Sequence, residues 1–108
     1  MVDLLIRYIE CVKAGDASGF AALFTENGEF EDEAPVKLGM HPIKIQGRKN
    51  IEEFFRKLFR GGGFEITNVA INGNAMRYDL KHRDSIVLAL GVAEEENKLI
   101  KKYRVIGV

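Results

Sequence analysis

Residues 7–32, RYIECVKAGDASGFAALFTENGEFED, predict the end of a first helix, a break, a second helix and a strand in direct succession. The break is Gly15-Asp16, because glycine commonly ends a helix and aspartate commonly begins one. Before this break, apolar residues recur at the spacing of one helix face: Leu5, Tyr8, Ile9 and Val12. The pattern predicts a first helix from Val2 to Ala14.

The second half of the same stretch predicts a short helix and then a strand. Phe20, Leu23 and Phe24 have helical spacing, and Asn27-Gly28 marks a turn. We expect this turn to fix where the strand that holds Asp32 begins.

Asp32 is predicted to carry the one carboxylate in this strand that points into the core. Side chains alternate along a strand, so Asp32 shares a face with Phe30, while Glu29, Glu31 and Glu33 point to the other face. A buried carboxylate is costly unless it is hydrogen-bonded, and burial raises its pKa. Asp32 is therefore either a hydrogen-bonded structural aspartate or a general base in a hydrophobic pocket.

The rest of the chain predicts a third helix and an antiparallel meander. Residues 34–47 hold both prolines and predict a loop with one short strand at 43–45. Strands are expected at 64–72, 75–82, 85–93 and 98–108, with a type I′ turn at Asn72-Gly73 and a loop at 94–97. The third helix has Glu52 and Glu53 in its first turn, and its apolar face is formed by Ile51, Phe54, Phe55, Leu58 and Phe59.

The composition favours one soluble domain over residues 1–108, with 46% hydrophobic and 30% charged residues. The single switch from helical to strand periodicity along the chain predicts the α+β class. Sixteen basic residues balance sixteen acidic ones, so neither nucleic acid nor a membrane is an expected partner. The single Cys11 and two histidines offer no disulfide and no metal site, and no cofactor is expected. The start MVDLLIRYIE reads as a mature helix and not as a signal peptide, so a cytoplasmic location is expected.

Residues 86–92 are apolar on both faces of the predicted strand. Such a strand is covered on both sides, either by helices and a subunit partner or by a curled sheet. If helices cover only one face, the other face needs a subunit partner, and a homodimer is the expected assembly. Three helices in the concavity of a curved antiparallel sheet would give a cone with an internal cavity.

The runs RYIECVKAGD, ALFTENGEFED and GRKNIEEFFRKLF resemble the ketosteroid isomerase and SnoaL-like branch of the NTF2-like superfamily. The order of elements over the whole chain agrees with that family. Tyr8, Asp32 and Gly47 stand where the family has a tyrosine in the first helix, an aspartate at the end of the first strand and a glycine before the third helix. The resemblance implies a cone-shaped α+β domain, usually dimeric, that encloses an apolar pocket for a small hydrophobic molecule.

In ketosteroid isomerases an aspartate moves a proton beside a carbonyl, while a tyrosine and a protonated second acid bind the oxyanion. The resemblance therefore implies that Asp32 is the base and Tyr8 a hydrogen-bond donor. The family's second acid would fall near Ala89, which cannot donate. Loss of one such donor costs roughly 3 kcal/mol of transition-state stabilisation, so a weaker or different enolisation is expected.

Other residues are candidates for the ligand pocket. Arg77 and Asp79 resemble the Arg-x-Asp pair of limonene epoxide hydrolase, whose second aspartate on the last strand is missing from residues 98–108. Alternation favours a simpler interpretation, in which Arg77, Asp79 and Lys81 form a charged solvent face and Met76, Tyr78 and Leu80 point inward. The remaining expected lining residues are Phe30, Phe54, Phe55 and Met40.

Three functions thus remain open from the sequence. The first is an enzyme that transfers a proton on a small hydrophobic carbonyl compound. The second is a non-catalytic ligand-binding or dimerisation module, in which core side chains fill the cavity or Asp32 bonds to the backbone. The third is an epoxide hydrolase.

Overall fold

The computed structural model describes residues 1–108 and confirms the predicted α+β fold class. Three helices pack against a curved, unclosed sheet of six strands. None of the helices is long and apolar enough to cross a membrane. The elements are α1 Val2–Ala14, α2 Ala17–Ala21, β1 Phe24–Asp32, a 3-10 helix Ala34–Leu38, β2 Ile43–Gln46, α3 Arg48–Arg60, β3 Glu65–Asn72, β4 Ala75–His82, β5 Ser85–Glu96 and β6 Leu99–Gly107.

The strands lie in the order β2-β1-β6-β5-β4-β3. Four of the five pairings are antiparallel, as expected, but β1 pairs with β6 in parallel, so the sheet is mixed. Parallel neighbours need a long crossover connection, and α3 with the β3–β5 meander supplies it. This arrangement places the carboxyl end of β1, where Asp32 lies, beside Val105 in the last strand.

The first helix ends where the sequence predicts, because Gly15 adopts a left-handed conformation with φ 67°. The third helix begins at Arg48, earlier than its apolar pattern suggests. Glu52 and Glu53 therefore lie beyond the first turn, where each pairs with a basic residue one turn later, Arg56 and Lys57 respectively.

Three predicted turns differ from the structure. The first strand begins at Phe24, and Asn27-Gly28 lies within a register irregularity of that strand instead of preceding it. The β3–β4 turn is centred on Gly73-Asn74, and only Gly73 has a positive φ, so it is not type I′. Both central residues of the β5–β6 turn, Asn97 and Lys98, have positive φ, and β5 extends to Glu96.

The core lies between the helices and the inner face of the sheet, and it is dominated by aromatic rings. Phe20 is its centre: its ring lies 4.3 Å from that of Phe55 and 4.7 Å from that of Tyr8. Phe30 on β1 contacts Phe55 at 5.0 Å, so the second helix, the third helix and the sheet share one aromatic cluster.

The outer face of the sheet carries an apolar strip that this chain does not cover. Along β5 the residues alternate, with Val87, Ala89, Gly91 and Ala93 buried against the core. Their neighbours on the other face are exposed, Ile86 to 66% and Leu88 to 37%. Within the single chain, β5 is therefore covered on its inner face, as expected, but not on its outer face. The outer strip consists of Ile86, Leu88, Leu90 and Val92 of β5 with Ile106 of β6.

Candidate functional site

Asp32 lies at the end of β1 and is 8% exposed, which confirms that its side chain points inward. One carboxylate oxygen, Oδ1, accepts a hydrogen bond of 2.8 Å from the backbone N–H of Ala34, at the start of the 3-10 helix. None of the ion pairs of the structure involves Asp32. Burial raises the pKa of Asp32 to about 6, although the hydrogen bond from Ala34 acts in the opposite direction.

The chain contains three tyrosines, and all three lie near enough to Asp32 for its charge to act on them. Tyr8 comes from α1, Tyr78 from β4 and Tyr103 from β6, and each is buried. The hydroxyl oxygens of Tyr78 and Tyr103 are 3.3 Å apart, and the rings of Tyr8 and Tyr103 are 4.6 Å apart. Burial, with a smaller contribution from the negative charge of Asp32, raises the pKa of all three phenols. We call these three residues the tyrosine cluster.

Small residues on β5 make room for the tyrosine cluster. A Cβ atom on Gly91 would lie 1.8 Å from the hydroxyl oxygen of Tyr103, so the phenol of Tyr103 occupies the space that any larger residue would take. Ala89, the residue at the expected position of the second acid, pairs across the strands with Tyr78. The side chains of β4 and β6 can therefore converge above β5.

Sequence reasoning identified Tyr8 and placed Tyr78 inward, but it missed Tyr103 and Gly91. Tyr103 and Val105 are two residues apart on β6 and therefore share a face of the strand. This spacing would have placed both residues on the inner face. The contact between Tyr103 and Gly91 depends on how two strands lie side by side, and the residues of one strand do not reveal it.

The other candidates do not all join this site. Phe30 and Phe55 lie in the buried aromatic cluster, whereas Phe54 is half-buried. Met40 is exposed in the segment between the 3-10 helix and β2. Of the four expected apolar lining residues, Phe30 contacts the tyrosine cluster, with its ring 5.9 Å from that of Tyr103, and Phe55 is connected to the cluster through Phe30.

Arg77 and Asp79 lie on the outer face of the sheet, as the simpler interpretation of β4 predicted. Arg77 is exposed, and Asp79 accepts a hydrogen bond of 2.7 Å from the side-chain amide of Asn68. Met76, which precedes Arg77, and Tyr78, which lies between Arg77 and Asp79, are buried on the inner face. Arg77 and Asp79 are thus separated from Asp32 by the sheet itself.

The expected apolar pocket is not seen as an open cavity. Five surface cavities of about 290 to 510 Å³ lie elsewhere, and none is lined by Asp32 or by a tyrosine. Buried side chains, among them Phe30, Phe55 and Met76, occupy the inner face of the sheet. No group of three or more His, Cys, Asp or Glu side chains is close enough to hold a metal ion.

The raised pKa of Asp32 predicts a pH-dependent stability. The folded state favours the protonated form of Asp32. The contribution of protonated Asp32 to the free energy of unfolding is therefore fully present below the ordinary pKa of 3.8, and it is lost as the pH rises through about 6. We expect Asp32→Asn, which keeps an oxygen to accept from Ala34, to raise the free energy of unfolding by up to about 3 kcal/mol at pH 7.5. Urea unfolding of both proteins between pH 4 and pH 8 measures this difference.

The difference should shrink toward pH 4, where Asp32 in the wild type is protonated as well. Glu26→Gln is the matched control, because Glu26 is exposed and forms no ion pair in the structure. An Asp32→Asn protein that is no more stable than wild type at any pH would contradict the raised pKa.

Comparison with known proteins places this geometry in a family. The chain is similar in structure to a protein from Sphaerobacter thermophilus at 19% identity, with 99% of this chain and 94% of that chain covered and a TM-score of 0.78. A provisionally assigned ketosteroid isomerase from Kribbella flavida is similar at 17% identity, with 98% and 76% covered and a TM-score of 0.68. An LEH-like epoxide hydrolase from M. tuberculosis is similar at 18% identity, with 99% and 81% covered and a TM-score of 0.67.

At these identities the structural likeness shows the fold alone. The curated proteins include none whose sequence matches the chain. The family model of the SnoaL-like domain, by contrast, matches residues 5–87, which is most of the sequence. The chain belongs to the SnoaL-like domain family of the NTF2-like superfamily.

Proposed function

We propose that the protein transfers a proton beside the carbonyl group of a small hydrophobic compound. Asp32 is the general base, and Tyr8 donates a hydrogen bond to the carbonyl oxygen. The observation that carries this proposal is the placement of one buried carboxylate, free of any cation, against a cluster of phenol groups. Fold alone would not support it, because related folds serve several chemistries.

The chemistry fits the two residue types. A general base works best when its pKa lies near the working pH, and a pKa of about 6 leaves Asp32 largely ionised at pH 7 yet more basic than an ordinary aspartate. The high pKa of Tyr8 keeps its hydroxyl protonated and able to donate. A phenol strengthens its hydrogen bond as negative charge develops on the substrate oxygen.

Substrate access is the demanding step of this proposal. Since none of the five main surface cavities is lined by Asp32, a ligand has to displace side chains that fill the inner face. Met76 suits such a rearrangement, because it is buried there and its unbranched side chain adapts readily.

The proposal is tested by NMR titration of the Asp32 carboxyl carbon, with and without 2-naphthol, a fused-ring phenol that mimics a dienolate. We expect a pKa near 6 in the free protein and a saturable shift with 2-naphthol that weakens in Tyr8→Phe. An ordinary pKa together with no response to 2-naphthol would contradict the proposal.

The non-catalytic alternative is supported by two observations of its own: the hydrogen bond from Ala34 to Asp32 and the filled inner face. On this alternative Asp32 is a structural residue that fixes the start of the 3-10 helix. A raised pKa with no response to 2-naphthol would favour it over the enzyme. The epoxide-hydrolase alternative has no support in the site, because Arg77 and Asp79 lie on the outer face and β6 carries no acid.

We also propose that a second copy of the chain covers the apolar outer strip. The strip is bordered by charges of both signs: Glu94 pairs across the strands with Lys102, and Arg104 lies beside them. A twofold-related copy can therefore set acids against bases while it buries the apolar residues. The formal net charge of zero removes any overall repulsion between the copies.

Light scattering coupled to size exclusion tests the proposed dimer. We expect wild type to elute with twice the mass of the chain and Leu88→Lys, in the middle of the outer strip, to elute as a monomer. Ile6→Lys is the matched control, because Ile6 is equally exposed but lies on α1, away from the strip. A monomeric wild type, or a Leu88→Lys protein that stays dimeric, would overturn this proposal.

A further inference from the structure

We propose that Tyr78 and Tyr103 join Tyr8 as hydrogen-bond donors to the substrate oxygen, and so replace the second acid that is absent at Ala89. This inference rests on the proposed proton transfer and extends it to two residues outside the Tyr8–Asp32 pair. The site would then hold its oxyanion with three phenols instead of one phenol and one carboxylic acid.

Every tyrosine in the chain converges in this cluster. One helix and two strands that are not neighbours in the sheet each contribute a single tyrosine, and all three phenols feel the charge of Asp32. Core aromatic positions elsewhere in the chain are phenylalanines, among them Phe20, Phe24, Phe30 and Phe55. Among the buried aromatic residues, phenol rings thus occur only in the tyrosine cluster.

The inner face of β5 provides space for Tyr103. Gly91 leaves a gap in the inner face of β5, and the hydroxyl of Tyr103 fills the volume where a Cβ would stand. Through this gap Tyr103 reaches across β5 to Tyr78 on β4. Tyr78 in turn is paired across the strands with Ala89, the position where the second acid would fall.

The tyrosine cluster has three hydroxyl protons that it can donate. Each hydroxyl has one proton to donate, and the acceptors within the cluster are other phenol oxygens. The distance of 3.3 Å between Tyr78 and Tyr103 is longer than a usual O–H···O hydrogen bond. An enolate oxygen is a much stronger acceptor than a phenol, so these protons would turn toward it.

The proton transfer that these donors assist is balanced without an oxidant or a cofactor. The Asp32 carboxylate takes the proton from the carbon next to the carbonyl, and the C–H electron pair becomes a C=C bond. The carbonyl π pair moves onto oxygen, where the phenols stabilise the negative charge. Asp32 then returns the proton to the same or to a conjugated carbon, and the carbonyl is restored.

The test compares two ligands of similar shape, 4-nitrophenolate, which carries the negative oxygen, and nitrobenzene, which lacks it. We expect Tyr78→Phe and Tyr103→Phe each to weaken binding of 4-nitrophenolate by on the order of 10-fold, with little change for nitrobenzene. Gly91→Ala should resemble Tyr103→Phe, since its Cβ displaces the Tyr103 hydroxyl. Phe24→Leu replaces a buried aromatic residue that has no hydrogen-bond donor, so it should change the binding of both ligands to the same extent.

If Tyr8→Phe selectively weakens the binding of 4-nitrophenolate while Tyr78→Phe and Tyr103→Phe do not, this inference is wrong and the proposed proton transfer stands. If wild type binds neither ligand, both are wrong. A measurement that needs no variant uses protein in which every tyrosine is 3-fluorotyrosine, which gives one ¹⁹F NMR signal for each of the three residues. We expect all three signals to shift with 4-nitrophenolate, and a shift of one signal alone would overturn the inference.

Discussion

Replacing Phe20 by alanine is expected to lower the free energy of unfolding by about 3 to 5 kcal/mol. Phe20 is fully buried on the short helix α2, and its ring contacts aromatic rings of every layer of the core: Tyr8, Phe24, Phe30, Phe55 and Phe59. These neighbours lie on two helices and a strand that cannot all move inward at once, so a large cavity remains. Urea unfolding followed by circular dichroism measures the effect.

The loss is a large part of the roughly 5 to 15 kcal/mol that a domain of this kind has in total. Phe54→Ala is the matched control, because Phe54 is half-buried and its one recorded ring contact is with Phe55 at 5.3 Å. We expect that control to lose clearly less stability. Equal losses in the two variants would show that Phe20 is not the centre of the core.

Asp32→Asn is expected to reduce the rate of enolisation by about 10²- to 10⁴-fold, the usual contribution of a general base. The amide matches the carboxylate in shape and can still accept from Ala34, but it cannot take up the proton. The measurement is the exchange of α-protons of 2-tetralone for deuterium, followed by proton NMR. Glu26→Gln, on the exposed part of β1, serves as the control with wild-type rate.

This variant separates chemistry from folding. The same substitution is expected to stabilise the protein at neutral pH, so a slower and more stable protein could not be explained by unfolding. Such opposite changes are common where an active site holds a buried polar group. An exchange rate that is unchanged in Asp32→Asn would remove Asp32 from the mechanism.

The sequence predicted those features that depend on local periodicity. The apolar stripe of α1, its end at Gly15 and the inward direction of Asp32 each follow from the spacing of neighbouring residues. The outward position of Arg77 and Asp79 follows from the same alternation. The family resemblance added the order and the packing of the elements, which periodicity does not give.

Features that depend on distant parts of the chain could not be predicted in this way. The parallel pairing of β1 with β6 joins the first and the last strand, and no local pattern records it. The filled inner face depends on the summed volumes of side chains from several elements. The contact of Tyr103 with Gly91 needs both the pairing of β5 with β6 and the tilt of a single side chain.

The gap at Gly91 also has a consequence for how the last hairpin assembles. A slip of β6 by two residues along β5 would keep every side chain on its own face, so alternation alone cannot reject it. That slip would bring the Tyr103 phenol above Ala89 or Ala93, where a methyl group stands in the position that glycine leaves open. We therefore expect Gly91 to favour the observed register of the β5–β6 hairpin over the registers that are shifted by two residues, because only glycine leaves space for the Tyr103 phenol.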